Sequence, residues 1–233
     1  MAQNENTFGT RISNAETLIL SITKFNNFTP LEAQDAPEEM YKLIAALKQS
    51  GLKVTEGLSK YAQAVEIRAN HFDKQADSLK KILSNINAYI KALIGKNGKE
   101  SETINQKIIQ LRGDSPKKDK ANPDDKSVST SQQSYASITQ NFVELITVLS
   151  TLSKAYAPAN EYIKLEALRA KHQAIEEANK NVKIAYSNLS DARLERDKWY
   201  EDLKNRCQRI KNAVKSQYGN TSKEYAEVKG LKI

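Results

Sequence analysis

Cysteine, glycine, proline and long apolar runs are all scarce in this chain. One cysteine, Cys207, stands among 233 residues. That excludes an intrachain disulfide and fits a reducing compartment. Eight glycines and five prolines are about half of ordinary usage or less, so turns are few and the elements between them long. No stretch approaches the ~18–20 apolar residues of a membrane helix; the run from Leu145 to Leu149 is far too short. Met1 to Phe8 is polar and carries no charged segment followed by an apolar run. No signal peptide is therefore read, and the expected location is cytoplasmic.

Chemistry-bearing constellations are equally scarce. The two histidines, His71 and His172, belong to no H-E-x-x-H or E-x-x-H motif, so neither a zincin nor a di-iron bundle is supported. No G-x-S-x-G elbow, P-loop or G-x-G-x-x-G occurs. Cys207 shares an apolar face with Ile210 and Val214 and reads as a buried, inert thiol. The paired acids Glu176-Glu177 and Asp124-Asp125 read as solvated. No catalytic residue, metal, cofactor or small-molecule substrate is expected, and the chain reads as a non-enzyme.

What is present is helical periodicity. Ala15, Leu18, Ile22 and Phe25 mark a short amphipathic helix that ends before Phe28-Thr29-Pro30. Asp35-Ala36-Pro37-Glu38-Glu39 reads as a helix start with Asp35 as N-cap. From there to Ile94 no proline occurs, and Ile44, Gly51, Leu58, Val65, Phe72, Leu79, Ile86 and Leu93 recur every seven residues. This spacing predicts one long helix with a coiled-coil-like seam, roughly 87 Å long, with Gly51 and Gly57 as its weak points. Gly95 stops it and a shorter helix follows, about Glu100 to Leu111.

Residues 113–133 are rich in Lys, Asp, Ser and Pro and read as a flexible polar linker. The pattern then restarts. Ile138, Phe142, Leu145, Leu149 and Leu152 form a short helix, and Tyr156-Ala157-Pro158 breaks it. Leu168, Ile175, Val182, Leu189, Arg196, Leu203 and Ile210 trace a second long helix up to Gly219. Phe142 to Leu152 lies 127 residues after Ala15 to Phe25, the Pro turns are 128 apart, and the seven-residue tracks and stop glycines are 124 apart. The expected fold is therefore all-α: an elongated antiparallel bundle with an internal duplication, short helix, long helix, short helix, twice. Residues 8–112 form repeat one and 134–233 repeat two, packed as one elongated domain.

Phe28-Thr29-Pro30, Thr103-Ile104-Asn105-Gln106-Lys107, Ser129 to Tyr135 and the ending Tyr218 to Lys232 carry a further signal. With them the chain resembles a family of two-repeat helical proteins of similar length found mainly in Bacteroidota. The resemblance implies the all-helical fold and carries no activity or functional residue.

Charge and aromatics supply the remaining leads. Thirty-six Lys/Arg oppose twenty-eight acids, a net +8. The excess is steepest after Lys204, where Tyr218 and Tyr225 are the only aromatics, a thin basis for stacking on bases. Arg196 interrupts the seam where repeat one has Phe72, and it is expected to snorkel to the edge. With Tyr186, Arg193, Trp199 and Tyr200 it forms the richest patch on the chain. Core packing explains such a patch; a partner anchor is the sharper reading, since Trp, Tyr and Arg dominate hot spots. The leading expectation is a non-enzymatic structural or protein-interaction protein that binds a protein partner or self-associates. The alternatives are a secreted or injected membrane-active helical protein, and polyanion binding by the basic end, with nucleic acid the less favoured partner.

Overall fold

A computed structural model describes residues 7–95, 98–113 and 134–233. The linker read at 113–133 lies, but for Gly113, outside the described residues. Among those described, every regular element is helical and there is no strand. The elements are α1 (Phe8–Lys24), α2 (Pro37–Ala69), α3 (Leu79–Ile94), α4 (Lys99–Arg112), α5 (Tyr135–Thr151), α6 (Leu165–Tyr218) and α7 (Lys223–Val228). No described helix is long and apolar enough to cross a membrane.

Local chemistry explains most of the boundaries. The hydroxyls of Thr7 and Ser134 accept from the backbone N–H groups of Thr10 and Ser137, capping α1 and α5. Ser222 does the same for α7 through Tyr225 N–H. Gly95 and Gly219 adopt φ values of 78° and 95°, a left-handed stop that costs a glycine little. Asp35 does not cap α2. It sits in a single 3-10 turn, Ala33–Asp35, and its carboxylate takes two hydrogen bonds from Arg209, at 2.8 and 2.7 Å. A charged guanidinium outcompetes nearby backbone N–H groups for a buried carboxylate.

The chain separates into two compact units: residues up to Ser59 with Ser187–Ile233, and Lys60–Tyr186. Each therefore draws on both sequence halves. The core of the first unit joins Leu18, Ile19 and Ile22 of α1 and Met40, Leu43 and Leu47 of α2 to Leu203, Cys207 and Ile210 of α6, with Val228 of α7. The core of the second joins Ile82, Leu83 and Ile86 of α3, Ile104 and Ile108 of α4, Phe142 and Leu145 of α5, and Leu168 and Ile175 of α6.

Two expectations about the first long helix change. Its seam is not the track through Gly51, Leu58 and Val65: Leu58 is 45% exposed, and the buried positions are Met40, Leu43, Ile44, Leu47, Ser50 and Val54. Nor does it run to Ile94. It continues through Gly51 and Gly57, passes into a π-helical turn at Asn70–Lys74, and stops before α3 starts at Leu79. Gly57 is instead a point of close approach, where an added Cβ would lie 3.3 Å from the Leu189 side chain. On α6 the seven-residue track is buried at Leu168, Ile175, Val182, Leu189, Leu203 and Ile210.

Truncating Phe142, which is fully buried, to alanine should cost about 3–5 kcal/mol. Leu52→Ala, at an exposed position, should stay within about 0.5 kcal/mol. Denaturant unfolding followed by circular dichroism separates the two.

Candidate partner-binding surfaces

The patch read at Tyr186, Arg193, Arg196, Trp199 and Tyr200 is not gathered into one place. Tyr186 is exposed and belongs to the second unit, where its ring lies 5.8 Å from that of Tyr61. Arg193 is exposed on α6 in the first unit. Trp199 is partly buried and packs on the core of that unit. Arg196 and Tyr200 do come together, around a residue that sequence reasoning passed over. The Tyr200 ring stacks on Phe8 at 4.2 Å, and the Arg196 guanidinium lies over the same Phe8 ring at 4.2 Å. Arg196 also bonds to Asp197 at 2.9 Å. It neither reaches the edge freely nor leaves a gap. It is spent on a ring face and an adjacent acid, a use that suits a planar, weakly hydrated cation.

The second unit repeats this arrangement with different residues. Arg68 lies 3.9 Å above the Tyr135 ring, and Phe72 meets the same ring edge-on at 4.7 Å. In both units the Arg and its aromatic are four residues apart, within α6 in the first and from the end of α2 into the π-helical turn in the second, so the paired side chains project to one side. The ring between them opens a short helix, α1 or α5. Each clamp borders a shallow cleft. In the first unit it is lined by Phe8, Arg11, Asp197, Tyr200, Glu201 and Lys204, about 350 Å³. In the second it is lined chiefly by Phe72, Leu79, Leu111, Tyr135 and Ile138, with Lys74 and Lys80 at its rim, about 240 Å³. Phe8 and Tyr135 remain roughly two-fifths exposed at these mouths. The signal available in the sequence was the paired spacing Arg68-x-x-x-Phe72 and Arg196-x-x-x-Tyr200.

The titratable groups fall into inert and poised sets. Cys207 is fully buried, and desolvation pushes its thiol up to about 12. Burial raises the Tyr156 phenol, whose hydroxyl donates to Ile163 O at 2.8 Å. His71, on the π-helical turn, is lowered by burial and then by the charge of Lys171, with Asp77 acting in the opposite sense. Lys171 donates to Asp77 at 2.5 Å, and that bond holds the carboxyl below its ordinary range. His172, the residue after Lys171 on α6, has its Nδ1 3.6 Å from Glu176. Among the described residues no three His, Cys, Asp or Glu side chains gather as metal ligands would.

No family model matches the chain, and comparisons with curated proteins and with solved structures find no match either.

Two measurements check these assignments. Arg196→Ala should destabilise the protein by about 0.5–2 kcal/mol through the lost ring contact, whereas Arg193→Ala should have an effect below about 0.5 kcal/mol. Cys207 should resist a thiol reagent in the native state at neutral pH and react promptly once denaturant unfolds the chain.

Proposed function

We propose that the chain is a non-enzymatic, cytoplasmic helical protein that acts by holding a protein partner or a second copy of itself. Its scaffold, on this reading, is a duplicated unit of short helix, long helix and short helix, with the two long helices antiparallel. Several features support the duplication. Helices α1 and α5 each have 17 residues and a hydroxyl cap. The 3-10 turns Ala33–Asp35 and Glu161–Ile163 precede the long helices at a constant offset of 128. Buried Met40, Leu47 and Val54 correspond at that offset to buried Leu168, Ile175 and Val182. The Arg–aromatic clamps keep it too, from Arg68 and Phe72 to Arg196 and Tyr200. From Leu79 onward the offset is 124, pairing buried Leu79, Leu83, Ile86 and Ile90 with Leu203, Cys207, Ile210 and Val214. The four-residue surplus in repeat one thus falls between Phe72 and Leu79, where its long helix is interrupted.

The contacts within each unit support the antiparallel arrangement. In the first, Asp35 meets Arg209 and Lys53 meets Glu195. In the second, Tyr61 meets Tyr186 and Asp77 meets Lys171. As the index rises on one helix, it falls on the other.

The observation that carries the functional reading is the set of large apolar side chains left in solvent on the long helices. In the first unit Leu52, Leu58 and Leu194 are each about half exposed or more. In the second, Ile67, Ile184 and Tyr186 are exposed to a similar degree. Apolar surface of this kind marks interaction sites when it is contiguous. Sedimentation of the purified chain, together with photo-crosslinking from Leu52 and Leu194, tests the proposal. The expected result is a discrete adduct with a second copy or one partner, lost from the Leu52 crosslinker when Leu194→Glu is added and from the Leu194 crosslinker when Leu52→Glu is added, and absent when the crosslinker sits at Glu177. A strictly monomeric protein with no adduct from either position would sink it.

A further inference from the structure

The interruption between α2 and α3 is built differently from an ordinary turn. It contains neither glycine nor proline, so the backbone has no intrinsic reason to stop there. It is held shut by a set of side-chain ties, all within the second unit. Ser78 Oγ donates to Asp73 O at 3.0 Å, Lys81 Nζ donates to Lys74 O at 3.2 Å, and Lys80 pairs with Asp73 at 3.2 Å. A further tie reaches another long helix: Asp77 pairs with Lys171 of α6 at 2.5 Å, with the Lys171 side chain only 12% exposed. A π-helical turn followed by a break is a form in which helices commonly carry functional adjustments.

Inside this turn, His71 Nδ1 is buried without a hydrogen-bond partner. An unpaired buried nitrogen costs free energy that opening to water would return. We propose that Asn70–Ser78 is a proton-sensitive hinge, latched by the Asp77–Lys171 pair, whose opening is driven by protonation of His71 and widens the apolar cleft beside it. The cleft is lined by Phe72, Asp73 and Lys74 of the hinge and by Leu79 and Lys80 at the start of α3, directly after it. Its far wall, Leu111, Tyr135 and Ile138, belongs to α4 and α5. Movement at the hinge therefore changes one wall of the cleft while the other stays fixed.

The charges around His71 set the sign. Lys171 from α6 opposes protonation and Asp77 from the break favours it, with burial the largest influence and also opposed. Arg68 precedes His71 by one turn on its own helix and is held over Tyr135 of α5. Lys80 and Lys81 of α3 are engaged by Asp73 and Lys74 O. His172 and Glu176 of α6 form a separate contact and supply a control. With the closed-state value lowered, the closed form is favoured fully above the ordinary imidazole range. It loses that advantage as pH falls below that range, because the open form takes up the proton.

Hydrogen exchange of the full-length chain tests this, with rates over residues 70–82 corrected for intrinsic pH dependence. Lowering the pH from about 7.5 to about 5.5 should raise the opening constant of that segment up to ~10-fold, the limit for an imidazole that titrates at about 6.5 when the segment is open. The core helices α5 and α6 should be unchanged. His71→Gln should abolish the response, His172→Gln should retain it, and Asp77→Asn should leave the segment fast at both pH values. No pH response in the wild-type chain, or the same response in His71→Gln, overturns the proposal.

Discussion

Burial of a single apolar stripe on α6 is the constraint from which the rest of the structure follows. Leu168 and Ile175 enter one core, and Leu203, Cys207 and Ile210 enter the other. A lone helix of 54 residues with such a stripe gains little from its own hydrogen bonds, since tertiary packing supplies most helical stability. Each stretch of stripe is covered by a short helix, α5 or α1, and by part of the other long segment, α3 or α2. The supporting polar contacts are few. Asp35, almost fully buried, is satisfied by Arg209, and the Ser21 hydroxyl donates to Glu227 at 2.6 Å. These fix register while the apolar contacts supply the stabilisation.

The helices themselves were legible because their signals are local. The track on α6 needs only the seven-residue spacing of Leu168 to Ile210, and Gly219 announces its own left-handed stop. The end of α2 was not legible, because nothing between Asn70 and Ser78 breaks a helix by composition. The one local hint is Asp77-Ser78 ahead of Leu79, a weak start signal that a strong heptad track masks. The seam of α2 was misread for a related reason. Ile44, Leu58, Val65 and Leu79 keep a seven-residue spacing on paper, yet the interruption shifts phase between Val54 and Leu79, so no single track spans both segments.

The candidate patch fared similarly. Tyr186 and Tyr200 are separated by about 21 Å of helix, so proximity in sequence could not gather them. Arg196 was conspicuous as a charge in an apolar track, but its partner Phe8 is remote in the chain, and only packing joins them. Asp35 shows the same limit. Its position just before Pro37 is what a cap requires, and the nearest guanidinium overrides that local preference from a distant helix.

The two units each hold an Arg–aromatic clamp and differ in how their polar groups are satisfied. In the first, the buried acid has a bidentate partner and the clamp arginine has both a ring and a carboxylate. In the second, among the described residues, Arg68 Nε, His71 Nδ1 and Asn179 Oδ1 are all buried without partners. Such atoms are costly where the local dielectric is low. A scaffold selected only for rigidity would have little reason to keep three of them on facing segments of one unit. Of the three, His71 Nδ1 lies in the interruption itself, so opening there would let that nitrogen meet water. On the hinge proposal, the segment around Phe72 is the element of the second unit that a proton can bias.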